Sequence, residues 1–306
     1  MPSALFVGNG LNRCSGALCS WDGLLHGLAE EYEVLGAEQD VFSLEFERIL
    51  NCALQKRRLT GDRAFYRIKR QIGKSMMDKR MRPTALHNDF VNLPVDAFLT
   101  TNYDYLLERA IDPDLCLSSL RSGSQEVKYS LHRKQRAGGR AIYHIHGEAC
   151  APSSICLGFE HYTGALVRLR EHLLVHDSGE KDVSILNVLR GCKKPSGCFG
   201  ELFFTHDLYF IGYGLDQAEI DVWWLLTYRA FLLHTDYRGM AAYIKNRIVF
   251  YDVGPDDARS RQRRSLLECL HVETMRIDLP GGDYSAGYRT ALQDLKENQL
   301  GDRTVS

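Results

Sequence analysis

The chain has 306 residues, of which 25% are charged, and its formal net charge is −1. That balance argues against a general binder of nucleic acid or of an anionic membrane surface. The 44% of hydrophobic residues is enough for a sizeable core in one large domain or two ordinary ones. Nine cysteines, odd in number, scattered and without a C-x-x-C pair, suit free thiols in a reducing compartment and leave a four-thiolate zinc site without its usual spacing. The N-terminus has no basic stretch leading into an apolar one, so no signal peptide is expected. The most apolar long stretch, 223–233, carries Arg229 and is too short to span a bilayer. A cytoplasmic protein with no membrane contact is expected.

Residues 4–7 form a short apolar run ending at Gly8, which predicts a buried parallel strand feeding a glycine turn. Helical spacing follows over 21–33. It recurs over 43–56, where Leu44, Ile49, Leu50 and Ala53 make a stripe and Ser43 is the candidate N-cap. A polar, basic helix is expected over 64–79 and a short one over 84–92. Residues 96–100 read as a second strand and 103–110 as a helix. A loop-rich stretch with a hairpin between 126 and 141 leads into a third strand over 141–146. Helices over 162–175 and 182–189 precede a glycine- and lysine-containing loop. Residues 208–211 read as a fourth strand, 217–233 as a long apolar helix, 247–253 and 272–279 as two further strands, and 284–298 as a terminal helix. The basic stretches 121–140 and 259–264 read first as solvated surface.

Strands alternating with helices predict an α/β fold, a Rossmann-like, mostly parallel sheet with helices on both faces. The helical stretch between the first two strands, about residues 20–95, is too long for a simple crossover and reads as a helical insertion. The remainder reads as a single domain over 1–306 with a polar tail at 299–306.

Open sheets of this kind bind ligands at the carboxyl ends of their strands, and four such ends here are unusual. They are Gly8-Asn9-Gly10-Leu11-Asn12-Arg13, Thr101-Asn102-Tyr103-Asp104, His144-Ile145-His146-Gly147, and Gly212-Tyr213-Gly214-Leu215-Asp216. Gly8 and Gly10 would let backbone amides approach a pyrophosphate, and Arg13 could add charge. A plain tight turn fits them equally well. The segment is not the dinucleotide fingerprint, because Arg13 stands where the third glycine would be, which counts against an ordinary dehydrogenase. Asn102 reads by itself as a helix N-cap, and Asp104 as an acid in the first turn. His144 and His146, two apart, should face the same side of their strand. His146, at the strand end, is the one a ligand could reach. Asp216, Glu219 and Asp221 fit capping and dipole roles at the start of a helix better than a metal cluster.

In this order the four motifs resemble the sirtuin-like domains of prokaryotic antiphage defence proteins, and the T-N-Y-D and H-G pair is the specific part. The resemblance implies that NAD is bound as a substrate, and the cysteine spacing leads one to expect no metal. It implies Asn102 and His146 as the catalytic pair and Asp104 as the contact to the nicotinamide carboxamide. Gly8, Asn9, Gly10, Asn12, Arg13, Thr101, Gly212, Tyr213 and Gly214 would line the dinucleotide. The paired-cysteine zinc module of the deacylating members is absent from the sequence. The expected activity is therefore NAD hydrolysis to nicotinamide and ADP-ribose, in an effector that depletes NAD. Protein deacylation and non-enzymatic sensing of NAD or ADP-ribose are the alternatives. Such an effector must be restrained, so a homo-oligomer is expected, with a regulatory or sensor protein from the same operon as candidate partner. The insertion and the Trp223-Trp224 helix are the candidate contact surfaces.

Overall fold

The computed structural model describes residues 1–14, 21–34, 41–56, 64–78, 81–117, 120, 128–174 and 184–301. In chain order the first half gives β1 (Ser3–Val7), α1 (Asn9–Arg13), α2 (Trp21–Glu31), α3 (Phe42–Gln55), α4 (Ala64–Met76), α5 (Ala85–Val91), β2 (Ala97–Thr100), α6 (Leu106–Ile111), β3 (Lys134–Ala137) and β4 (Arg140–His144). The second half gives α7 (Phe159–Leu173), α8 (Ile185–Leu189), α9 (Phe199–Thr205), β5 (Asp207–Ile211), α10 (Ile220–Thr235), β6 (Ile248–Val253), α11 (Ala258–Cys269), β7 (Glu273–Ile277) and α12 (Tyr284–Asp294).

The strands form one sheet in the order β3-β4-β2-β1-β5-β6-β7. Every neighbouring pair is parallel except the β3–β4 hairpin at the edge. This is the Rossmann-like arrangement that the alternation of elements predicts. The inner strands are apolar at nearly every position because both faces are covered. Alternate residues go to opposite layers. Ala4, Phe6, Leu99, Phe210 and Phe250 pack against α7, α8, α9 and α10. Leu5, Val7, Phe98, Tyr209 and Val249 pack against α1, α5, α6 and α12. Phe6 stacks on Phe210 at 4.7 Å and meets Phe203 of α9 edge-on at 6.4 Å.

Of the helices between β1 and β2, α2, α3 and α4 share a core of their own through Leu28, Phe46, Ile49 and Ile72. That core continues into Tyr103, Ile155, Leu157 and Tyr162, beside the ends of β2 and β4. Helix α5 instead joins the sheet layer through Phe90 and Val91.

Several local expectations change. Helix α3 starts at Phe42 with Val41 as its cap residue, so Ser43 lies inside the helix and is buried. The loop expected after residue 189 gives way at Phe199 to α9, whose short run of aromatics fills the core beside Phe6. The basic stretch 259–264 lies on α11, where Arg263 and Arg264 pair with Asp252. Helix α10 buries Val222, Leu225, Leu226 and Leu232, yet carries outward a stack of Trp224, Tyr228 and Phe231, with Phe231 45% exposed. Arg229 is tolerated inside this helix because its guanidinium donates to Asn246 and to the His271 carbonyl. Residues 79, 121–127, 175, 182–183 and 302–306 of the expected elements, and 20, 35–40, 57–63 and 80 of the expected insertion, lie outside the described residues.

Candidate active site

The chain leaves β1 toward β2 on one side of the sheet, whereas β5 lies on the other. Between such strands an open sheet parts at its carboxyl edge and forms a crevice. Here that crevice is a cavity of about 650 Å³, within the range of small-molecule sites. Of the residues expected along the dinucleotide, Asn9, Gly10, Arg13, Thr101, Gly212, Tyr213 and Gly214 line it. Phe42, Glu219, Tyr251, Asp252, Arg263 and Tyr288 also line it, and sequence reasoning did not select them. Gly8, Asn12, Asn102, Asp104 and His146 do not reach its wall.

The glycines at this edge serve close approach between chain segments. Gly8 N–H donates to the Ile211 carbonyl at 2.8 Å and Gly10 N–H to the Gly212 carbonyl at 2.7 Å. These two amides, expected to face a pyrophosphate, are thus already committed to the end of β5. A Cβ on Gly8 would lie 2.5 Å from the Gly212 oxygen, and one on Gly10 2.3 Å from the Tyr288 hydroxyl. Gly212 has φ +63° and would set a Cβ 2.7 Å from the Leu11 nitrogen. Three positions without side chains therefore let β1 and β5 turn away against each other.

Behind this turn runs a buried polar chain. The Thr84 amide donates to His87 Nδ1, which leaves His87 Nε2–H to donate to Asn12 Oδ1 at 2.9 Å. Asn12 Nδ2 then donates to Asp104 Oδ2 at 2.8 Å. Burial of His87 lowers its pKa to about 4, so the ring is neutral. Asp104 Oδ1 accepts the amide of Leu106, the first residue of α6, whose cap residue is Tyr105, so Asn102 is not the cap. Burial raises the Asp104 pKa to about 6. Both its oxygens are engaged within the protein, although the resemblance puts it against a carboxamide.

Asn102 is held by its backbone. Its N–H donates to Thr100 Oγ1 and its carbonyl is 3.0 Å from His144 Nδ1. Its side-chain Oδ1 is buried with no hydrogen-bond partner, a costly state for an acceptor that nothing in the protein fills.

The two histidines part company. β4 ends at His144, and Gly147 turns the chain with φ +96°. His144 Nε2 lies 2.7 Å from Glu108 Oε1 of α6. His146 Nε2 lies 2.9 Å from Asp221 Oδ2 of α10, in the opposite layer. The expectation that both face one side fails because regular strand geometry does not continue past His144. Burial disfavours the His144 imidazolium, but the Glu108 carboxylate outweighs it, and the pKa rises to about 9. For His146 burial is likewise outweighed by Asp221, and the pKa is raised. Tyr162 holds the His146 ring edge-on at 5.0 Å.

Asp221 and Glu219 hold more than the capping and dipole roles their sequence positions suggest. Glu219 is indeed the cap residue of α10, its Oε2 accepting the Asp216 amide. It also lines the cavity, and burial raises its pKa to about 7. Asp221 reaches His146, and its Oδ1 has no partner. An acid in the first turn of a helix that is otherwise apolar nearly all round was the available signal. Among the described residues no group of three or more histidine, cysteine or acidic side chains is placed to hold a metal ion, and no helix is long and apolar enough to cross a membrane.

The model of the SIR2-like domain family matches residues 96–270. The match includes Asn102, His146, Glu219 and Asp221 and leaves out the Gly8–Arg13 turn. Among curated proteins the chain is similar to an NAD(+) hydrolase ThsA from Acinetobacter baumannii (strain 532279), with 27% identity over 160 residues. That match takes in 52% of this chain and 30% of the relative, so less than a third of that protein's length is matched. The family match spans more than half of the chain and takes in the ends of β2, β5 and β6, which contribute Thr101, Gly212-Tyr213-Gly214 and Asp252 to the cavity: the chain belongs to the SIR2-like domain family.

Proposed function

We propose that the chain is an NAD hydrolase, cleaving the nicotinamide–ribose bond with water as acceptor to give nicotinamide and ADP-ribose. The observation that carries the reading is a ligand-sized cavity at the carboxyl edge of a SIR2-like sheet, lined by Thr101 and Glu219, the chain neighbours of the orphaned Asn102 and of the Asp221 that holds His146. The name of the similar ThsA protein supports it. NAD would lie along Asn9, Gly10, Arg13, Thr101 and Gly212-Tyr213-Gly214. Gly8 and Asn12 would shape that wall from behind, and Asp104 would hold the loop.

Breaking the bond leaves an oxocarbenium-like ribose and a neutral nicotinamide. Asn102 would meet a ribose hydroxyl or the attacking water through its free oxygen, and the proton would be handled at the His146 end of the site. Positioning and proton transfer each lower such a barrier by several kcal/mol. In the cell we read the chain as a cytoplasmic, regulated antiphage effector that acts as a homo-oligomer, with a protein of the same operon as candidate regulator. Incubation of purified protein with NAD, followed by chromatography, should yield nicotinamide and ADP-ribose in equal amounts. Turnover only in the presence of an acylated peptide would instead make the chain a deacylase, and tight NAD binding without nicotinamide release would make it a sensor.

A further inference from the structure

The residues that the family motifs mark, Asn102 and His146, stop short of the cavity wall. What reaches the wall from the same place is Glu219. This residue is almost fully buried yet lines the cavity, as do Tyr213 and Thr101. Two residues on, Asp221 turns inward and takes His146 Nε2 at 2.9 Å. Both members of that pair are 1% exposed. With Nε2 bound to a carboxylate, the ring keeps its other nitrogen as the exchangeable one. The start of α10 thus offers one acid to the cavity and one to the histidine.

We propose that Glu219 is the cavity-facing proton acceptor of the reaction, and that Asp221 is the positioning residue that holds His146 charged beside it. The proposal rests on the hydrolase reading and deepens it. Water's oxygen bonds to C1′ of the ribose as the C1′–N bond breaks. The electron pair of that bond goes to the pyridinium nitrogen, leaving neutral nicotinamide. Water's proton passes to the Glu219 carboxylate and from there to solvent after the products leave.

The electrostatics around Glu219 fit this role. Burial favours its neutral form and brings the pKa to about 7, while His146 and the Asp216 amide pull it down and Asp221 pushes it up. Tyr213 from the end of β5, Tyr103 from the end of β2, Tyr162 of α7 and Cys156 before α7 also face it, all of them held neutral by burial. A carboxyl poised near neutrality suits a general base at cellular pH. The His146–Asp221 pair sets where it titrates: without Asp221 the imidazole loses its proton more easily, and Glu219 loses a neighbouring positive charge.

The test uses the full chain, NAD as probe, and the variants Glu219→Gln and Asp221→Asn. Turnover, NAD affinity by calorimetry, and the titration of the His146 ring by NMR (assigned with His146→Gln) are measured for each. We expect kcat to fall about 100-fold in both, with NAD affinity changed less than threefold. Glu219→Gln should also lose the acid limb of the kcat/KM profile. Asp221→Asn should move that limb to higher pH and lower the His146 pKa. A protein merely loosened by substitution would lose activity without moving the limb. Wild-type turnover with both variants within threefold of it would overturn the proposal and leave the hydrolase reading intact. An unchanged His146 titration in Asp221→Asn would overturn it whatever the activity. No nicotinamide from the wild type would overturn the hydrolase reading and the proposed reaction with it.

Discussion

Two residues apart on one strand end, His144 and His146 each face a buried carboxylate at under 3 Å, yet their surroundings differ in kind. His144 spends both ring nitrogens, one on Glu108 and one toward the Asn102 carbonyl. Around it Glu148 gathers Arg133, Gln135 and the Tyr105 hydroxyl. The network ties β3, β4 and α6 to the T-N-Y-D loop and leaves Glu108 Oε2 without a partner, so the contrast with His146 lies in the ring nitrogens. His146 spends Nε2 alone on Asp221, and orphaned acceptors of Asn102 and Asp221 lie in the same region. A histidine with its bonds complete holds structure, while one with capacity left over beside a cavity is where chemistry can act.

The largest expected effect tests the His146 side. His146→Ala and Asn102→Ala should each lower NAD turnover at least about 100-fold with the thermal transition retained. Comparable activity in His146→Ala and wild type would break the contrast at its root. On the other side, Glu108→Gln and His144→Ala each open a buried ion pair and should cost about 3 kcal/mol in denaturant unfolding, while kcat per folded molecule changes less than tenfold. If they cost less than about 1 kcal/mol, the network is not the structural partner of the pair.

Next comes pH. His144 binds its proton more tightly folded, at about 9, than the ordinary imidazole at 6.5. Its contribution is fully present below pH 6.5 and is lost as the pH rises toward 9. His87 behaves oppositely: its folded pKa is about 4, so stability is lost as the pH falls from 6.5 toward 4. Unfolding measured across pH 7.5–9 should therefore show a decline in wild type that flattens in His144→Gln. An equal decline in both would place the alkaline sensitivity elsewhere. The smallest effect is expected from Tyr105→Phe, which removes one hydroxyl from the Glu148 network. It should cost about 1 kcal/mol and leave turnover unchanged, as a melting curve and a nicotinamide assay would report.

The sheet was legible because buried parallel strands are continuous apolar runs. Ala97–Thr100 and Asp207–Ile211 stand out between glycines and polar turns. The ends of those strands were legible for the same reason, since Gly212 and Gly147 mark sites where the backbone takes positive φ. Which polar groups would meet was not legible. Asn12, His87 and Asp104 come from three distant segments, and no periodicity encodes a contact across 75 residues. Asp221 read as a dipole residue because its partner lies 75 positions earlier. Helix α9 was missed because seven residues give less than two turns of pattern, and its aromatics read equally well as strand or core.

Two of the arginines that line the cavity, Arg259 and Arg263, already hold carboxylates. Arg263 donates to Asp252 at 2.5 Å and to the Gly214 carbonyl at 2.9 Å, and Arg259 reaches Asp216 at 3.0 Å. Asp252 is shared with Arg264, which also holds Asp256. An anionic ligand arriving there would not simply find positive charge. It would exchange with a resident carboxylate, gaining only the difference between two pairings, much as one counterion replaces another on a resin. Such a site would choose among anions by how well they fit the guanidinium forks, more than by how much charge they carry.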